Sequence, residues 1–185
     1  FTVRPRRCDS ASPILFVMHG AAPYAYPYLQ HWELTADRHQ FIVIAPEFSG
    51  NHWPRAAAYN LGDVATEPDR EKWAFSAIEH LFDEVRVGQA GYGIFGHSAG
   101  GQFVQRMALL RPDNRAMVMV AASPGWYTMP EWRKEKTDAV FPYTLVGTPA
   151  GEPQVRAALA RRLLLLVGGK DSDPDEEGLN ESAGA

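Results

Sequence analysis

The residue best suited to chemistry in this sequence is Ser98, which lies in the pentapeptide Gly-His-Ser-Ala-Gly at positions 96–100. A glycine two residues before the serine and another two residues after it leave room for a strand to turn sharply into a helix. Such a turn exposes the serine hydroxyl, so the spacing predicts a nucleophilic serine held in a strained backbone. An apolar run precedes the motif and an amphipathic, helix-like run over 102–111 follows it, as this turn requires.

The elements that would position Ser98 alternate between buried strands and helices. Five apolar runs have the length of strands, and helical or loop segments separate them, so we predict an α/β fold with a mostly parallel sheet and helices on both faces. Residues 47–69 contain several Gly and Pro breakers and are predicted to be a long loop. The predicted strands span 13–18, 41–45, 92–95, 116–121 and 163–167, and the main predicted helices span 70–87, 102–111 and 153–162.

Composition narrows the class of protein. A chain of 185 residues with 45% hydrophobic and 22% charged residues can form one domain with a real core, so residues 1–185 are treated as a single domain. A net charge of −4 disfavours nucleic acid as a partner, and no apolar run is long enough for a membrane span. Cys8 is the only cysteine, which excludes an internal disulfide. The sequence begins with Phe1, and it leaves compartment and oligomeric state open.

Polar and aromatic residues follow the predicted strands at the edge where parallel sheets bind ligands. The first strand is followed by His19 and Gly20, and the third by Ser98. Trp126 and Tyr127 come after the fourth strand and Asp171 after the fifth. The sequence contains no metal-ligand cluster, and the only Gly-x-Gly-x-x-Gly match ends in the glycine before Ser98, so we expect chemistry without a metal or cofactor.

On these residues the chain resembles the α/β-hydrolase superfamily, and within it the esterase branch related to polyhydroxybutyrate depolymerases. The likeness extends over nearly the whole chain and is most specific at the His-Gly turn and at the Ser98 motif. It implies a cofactor-free serine hydrolase that cleaves a small-molecule ester, of short acyl or 3-hydroxyacyl type, through an acyl-enzyme at Ser98. The matching segments are Phe-Val-Met-His-Gly at 16–20, Ala-Pro-Glu at 45–47, Gly-His-Ser-Ala-Gly-Gly-Gln-Phe at 96–103, Gly-Trp-Tyr at 125–127 and Leu-Leu-Val-Gly-x-x-Asp-x-Asp-Pro at 165–174.

The resemblance also implies roles for individual residues. The oxyanion hole would use the backbone N–H of Ala99 and that of Ala21, or alternatively Ala22. The acid of the catalytic triad would be Asp171, with Asp173 as the competing candidate. The residues that would line or support the substrate pocket are His19, Gly20, His97, Trp126 and Tyr127. Of these, His19 is interpreted as stabilising its turn, and His97 as part of the pocket wall, so neither is expected to be the base.

The catalytic histidine of the resemblance is missing. The superfamily order is serine, acid, histidine, whereas the six histidines are His19, His31, His39, His52, His80 and His97, all before Ser98. We expect that the sequence lacks the final strand and the histidine loop of the fold. A non-catalytic, ligand-binding relative is the main alternative, and substitution by an upstream histidine is the other. A peptidase or an acyltransferase would use the same apparatus.

The purified 185-residue chain is therefore expected to hydrolyse little or no ester, because a serine without a general base is a weak nucleophile. Release of p-nitrophenol from short p-nitrophenyl esters, measured beside Ser98→Ala, checks this expectation. Substantial hydrolysis that disappears in the Ser98→Ala chain would contradict it.

Overall fold

A computed structural model describes residues 1–169, which form a six-stranded sheet flanked by helices. The strand order is β1-β3-β2-β4-β5-β6, in which β1 runs antiparallel to β3 and all other neighbours are parallel. The strands are β1 (Thr2–Val3), β2 (Ile14–Met18), β3 (Ile42–Ile44), β4 (Tyr92–His97), β5 (Ala116–Ala122) and β6 (Leu163–Leu166). The chain crosses over from β3 to β4 on the far side of β2, so the Ser98 strand lies at the centre of the sheet.

The apolar cores on the two faces of the sheet differ in size. The larger core lies on the face where Phe16 and Ile94 meet the aromatic side chains Phe75, Phe82 and Phe103. A smaller cluster around Val17 and Leu29 fills the other face. The helices are α1 (Ala25–Gln30), α2 (Glu33–His39), α3 (Arg55–Ala58), α4 (Ala74–Val85), α5 (Ala99–Leu110) and α6 (Glu152–Leu159), with 3-10 turns at Arg70–Lys72 and Lys134–Lys136.

The predicted α/β fold is confirmed, and its five parallel strands lie where the apolar runs predicted them. Three local features differ from the expectation. The two-residue antiparallel strand β1 was too short to show a pattern, and α3 lies inside the segment predicted to be a loop. The predicted amphipathic helix after Ser98 is buried along its whole length as α5, because β5, α6 and the loops on either side cover its polar residues as well.

The sheet ends at β6, whose outer edge pairs with no strand among residues 1–169. The side chains of Leu164, Leu165 and Leu166 are 44 to 48% exposed on the two faces of this strand. No helix in the described part of the chain has the length and apolar character needed to cross a membrane.

Glycines bring the start of α5 into direct contact with its neighbours. A Cβ on Gly96 would lie 2.0 Å from the Gly100 carbonyl oxygen, and a Cβ on Gly100 would lie 2.4 Å from the Met18 oxygen and 2.6 Å from that of His19. These atoms belong to the backbone and cannot rotate away. The helix therefore sits on the carboxyl end of β2 at a distance that only glycine permits.

Gly100→Ala is expected to destabilise the fold by about 3 kcal/mol, because the added methyl group must push the helix away from β2. Urea unfolding followed by circular dichroism measures the loss. Gly50→Ala is the matched control, since a Cβ at Gly50 meets no atom within 4 Å. Equal midpoints for the two variants would show that the close approach at Gly100 does not constrain the fold.

Candidate active site

Ser98 occupies a sharp turn between β4 and α5. Its backbone has φ 56° and ψ −121°, in a region that residues with a side chain rarely adopt. Hydrogen bonds fix the turn on both sides, because Ser98 N donates to Ala122 O at 3.0 Å and Ser98 O accepts from Gln102 N at 3.0 Å. The side chain of Ser98 is partly exposed and makes no hydrogen bond within residues 1–169. The turn therefore presents an uncommitted hydroxyl at the N-terminus of a helix.

The residues predicted to form the oxyanion hole lie on two adjoining segments. Ala99 is the first residue of α5, so its N–H has no partner inside the helix. Ala21 and Ala22 are exposed residues of the turn after β2, and their N–H groups donate no hydrogen bond within the described chain. The contact of Gly100 with the His19 carbonyl joins this turn to α5. Helix and turn can thus present backbone N–H groups to one side of the crevice.

His19 stabilises the turn after β2 from its buried side. Its side chain is only 1% exposed and stacks on Tyr59 with ring centroids 4.4 Å apart. Nδ1 lies 2.7 Å from Gly20 O, which can only accept, so Nδ1 carries the proton; Nε2 then accepts from Phe48 N at 3.0 Å. Burial lowers the pKa of this imidazole, against weaker raising effects of the Gly20 carbonyl and Glu47. Both nitrogens are committed, so His19 holds two loops together and has no nitrogen left to activate Ser98.

His97 lies on the opposite side of β4 from the larger core. It is exposed, and its ring centroid lies 6.4 Å from that of Tyr28. Both side chains line an open cavity of about 600 Å³ between the sheet and the first two helices. The remaining residues of this cavity are Pro27, His31, Trp32, Thr35 and Phe95.

The loop after β5 contains the predicted pocket residues Trp126 and Tyr127, both partly buried. Ser123 begins the loop with φ 41°, which turns the chain across the end of the sheet. The side-chain amide of Gln102 lies 3.1 Å from Trp126 N and 3.2 Å from Gly125 N, and in the orientation that turns its oxygen toward this loop it accepts from both. This loop is therefore attached to α5, the helix that begins at Ser98.

Comparisons with known proteins decide the family. No family model and no curated protein sequence matches the chain, but solved structures do. Poly(aspartic acid) hydrolase-1 from Sphingomonas sp. KT-1 is 36% identical, with a TM-score of 0.89 over 98% of this chain and 70% of that one. The chain belongs to the α/β-hydrolase superfamily.

Two further solved structures are similar to the chain. A poly(3-hydroxybutyrate) depolymerase from Bordetella parapertussis is 30% identical, with a TM-score of 0.84 over 95% of this chain and 64% of that one. An acetyl xylan esterase from Aspergillus awamori, 17% identical with a TM-score of 0.50 over 67% of this chain and 47% of its own, shares the fold alone. This α/β-hydrolase chain thus spans about two thirds of the length of the two more similar proteins. The predicted similarity to depolymerases is confirmed, and the neighbours support a hydrolase on this scaffold.

Other predicted residues of this α/β-hydrolase remain untested. Asp171 and Asp173 lie outside the described residues. Within residues 1–169 no group of three or more His, Cys, Asp or Glu side chains is placed to hold a metal ion. Sequence reasoning missed Gln102 and Tyr59, which fix the loops of the crevice. For Gln102 the available signal was its position four residues after Ser98, which places it on the same face of the helix.

The buried His19 of this α/β-hydrolase should make stability depend on pH. Its folded pKa lies below the unfolded value of 6.5, so the unfolded chain binds the proton more readily. The free energy of unfolding should therefore fall as pH drops from about 6.5 towards the folded pKa. Urea unfolding between pH 7.5 and 5 measures the slope, which His19→Gln should reduce. His39→Gln, at an exposed position, is the control, and equal slopes in both variants would refute the role of His19.

Proposed function

We propose that this chain is the core of a serine hydrolase that cleaves carboxylic acyl bonds, with Ser98 as the nucleophile. The observation that carries the proposal is the left-handed backbone of Ser98 at a helix N-terminus, which leaves its hydroxyl uncommitted beside the turn at Gly20. Ser98 Oγ would bond to the acyl carbon while its proton passes to a base. The bond to the leaving alcohol would break, with the alcohol taking up a proton, and water would then release the acid from Ser98.

Developing charge on the acyl oxygen would be stabilised by the N–H groups of Ala99 and Ala21. Preorganised donors of this kind contribute on the order of 3 kcal/mol each in the transition state. Buried Ala99 is fixed by the helix. Ala21 belongs to the turn that is stabilised by the hydrogen bond from His19 Nδ1 to Gly20 O. No hydrogen bond within residues 1–169 joins a base to the Ser98 hydroxyl, and Asp171 remains the candidate acid.

The expected substrate is a short acyl or 3-hydroxyacyl ester. The poly(3-hydroxybutyrate) depolymerase supports this choice. A second candidate is an amide bond, because the other similar structure is a hydrolase of poly(aspartic acid), a polyamide. The third possibility is a binding protein that keeps the crevice without turnover.

A fluorophosphonate probe separates hydrolase from binding protein. A chain extended through its downstream reading frame should be labelled at Ser98, because a complete triad raises the nucleophilicity of the serine. Mass spectrometry of the labelled peptide identifies the site, and Ser98→Ala should abolish the labelling. If the extended chain contains a histidine after Ser98 and still fails to react, the proposed hydrolase is wrong.

The substrate is then identified with an unlabelled sample of the same extended chain, whose Ser98 is still free to react. Oligomers of 3-hydroxybutyrate and poly(aspartic acid) are compared by the acid groups that each releases. Faster cleavage of the ester would support the first candidate, and faster cleavage of the polyamide would replace it with the second.

A further inference from the structure

Arg106 is a cation buried inside the elbow helix. It lies two helical turns after Ser98 on α5, and its exposed fraction is 0%. Within residues 1–169, no ion pair includes Arg106 and its Nη2 has no hydrogen-bond partner. Burial lowers the pKa of the guanidinium to about 10, with a smaller opposing effect from Tyr143, so the side chain stays charged at neutral pH.

The guanidinium contacts two loops that converge on the crevice. Nη1 donates to the backbone oxygen of Asn60, in the segment between β3 and α4, at 3.1 Å. Nε donates to Thr128 Oγ1 at 2.9 Å, and the Thr128 hydroxyl donates in turn to Pro142 O at 2.6 Å. Two segments that are distant in sequence thus meet at one side chain of the helix, and Thr128 links a third segment, at Pro142, to them.

A neighbouring residue on the same helix completes the attachment at Thr128. Gln105 Nε2 donates to Thr128 O at 2.6 Å, and Thr128 N donates to Gln105 Oε1 at 3.2 Å. Together with the contacts of Gln102 to Gly125 and Trp126, these bonds attach the whole segment 125–128 to α5. The polar residues stand at positions 98, 102, 105 and 106, which share one face of a helix.

A buried charge at the position of Arg106 lowers the free energy of unfolding unless its contacts compensate for the lost hydration. Desolvation of an ion is only partly compensated by neutral acceptors, and a well-packed apolar residue is often as good or better. The directional bonds to Asn60 and Thr128 are what an apolar residue would not provide. Their geometric effect is to fix the loops in register with the helix.

We propose that Arg106 is a positioning residue that sets the distance between Ser98 and the pocket wall formed by Trp126 and Tyr127. It acts through Thr128 and Asn60 and does not touch the substrate. The functional meaning of this role rests on the proposed hydrolase, because only an acyl group bonded to Ser98 would meet that wall. The positioning itself is a property of residues 1–169 and can be measured without catalysis.

Hydrogen exchange of the 185-residue chain tests the positioning. Arg106→Met keeps the bulk of the side chain and removes its donors, so peptides covering 58–62 and 124–130 should exchange at least about tenfold faster, the factor expected for loss of a charge-assisted hydrogen bond. Thr128→Val should accelerate the same peptides, whereas Thr128→Ser, which keeps the hydroxyl, should retain the original rates. If Arg106→Met does not fold, the Thr128 pair decides the question.

Met107→Ala is the matched control on the same helix. Met107 is fully buried in the apolar core, so its truncation lowers global stability. Exchange in this variant should rise throughout the protected core and show no preference for the two loops. If Arg106→Met gives the same even pattern, or if Thr128→Val and Thr128→Ser behave alike, Arg106 is an ordinary structural residue and the proposal is wrong.

A second readout connects the position to specificity. In an extended chain that labels at Ser98, Arg106→Met should change the ratio of labelling rates between a long-chain and a methyl fluorophosphonate by about tenfold, the discrimination of a fitted pocket for one methylene group. An unchanged ratio would overturn the link to the acyl pocket. If no chain labels at Ser98, the proposed function fails while the exchange result still decides the positioning.

Discussion

The constraint on which the whole site depends is the close backbone contact at the start of α5. Gly100 touches the carbonyl groups at the end of β2, and Gly101 touches that of Ala122 at the end of β5, where a Cβ would lie 2.7 Å away. The chain reaches this position only through the left-handed backbone of Ser98. The backbone of Ser98 and the close contacts of Gly100 and Gly101 therefore bring Ser98, the turn at Gly20 and the loop after β5 to one point.

The fold could be predicted well from the sequence because its parallel strands are continuous apolar runs, of which β2 and β3 are buried on both faces. The strand ending at His97 and the one ending at Ala122 were both located in this way, and the glycines around Ser98 identified the turn between strand and helix. Strand order and the exposed edge at β6 depend on contacts between distant segments, which no local pattern records.

The site could be predicted only in part, for the same reason. Ser98 carries a local motif, whereas Arg106 and Gln102 look from the sequence like the solvated face of an amphipathic helix. Loops that arrive from residues 60 and 125–128 cover that face, so its polar groups become internal hydrogen-bond donors and acceptors. The sequence predicts a turn-stabilising role for His19, but its hydrogen-bond partner Phe48 lies 29 residues away and left no trace in the pattern.

The contacts that shape the crevice are independent of the catalytic base. The Ser98 turn is held by Ala122 and Gln102, the turn after β2 by His19, and the aromatic loop by the polar face of α5. Every one of these contacts joins residues within 1–169, so the crevice keeps its form without the acid and the histidine of a catalytic triad. A hydrolase and a ligand-binding relative would consequently share this architecture and differ in the groups that remove the proton from Ser98. The distinction between the two functions therefore lies in proton transfer, and the arrangement of nucleophile, backbone donors and pocket wall is common to both.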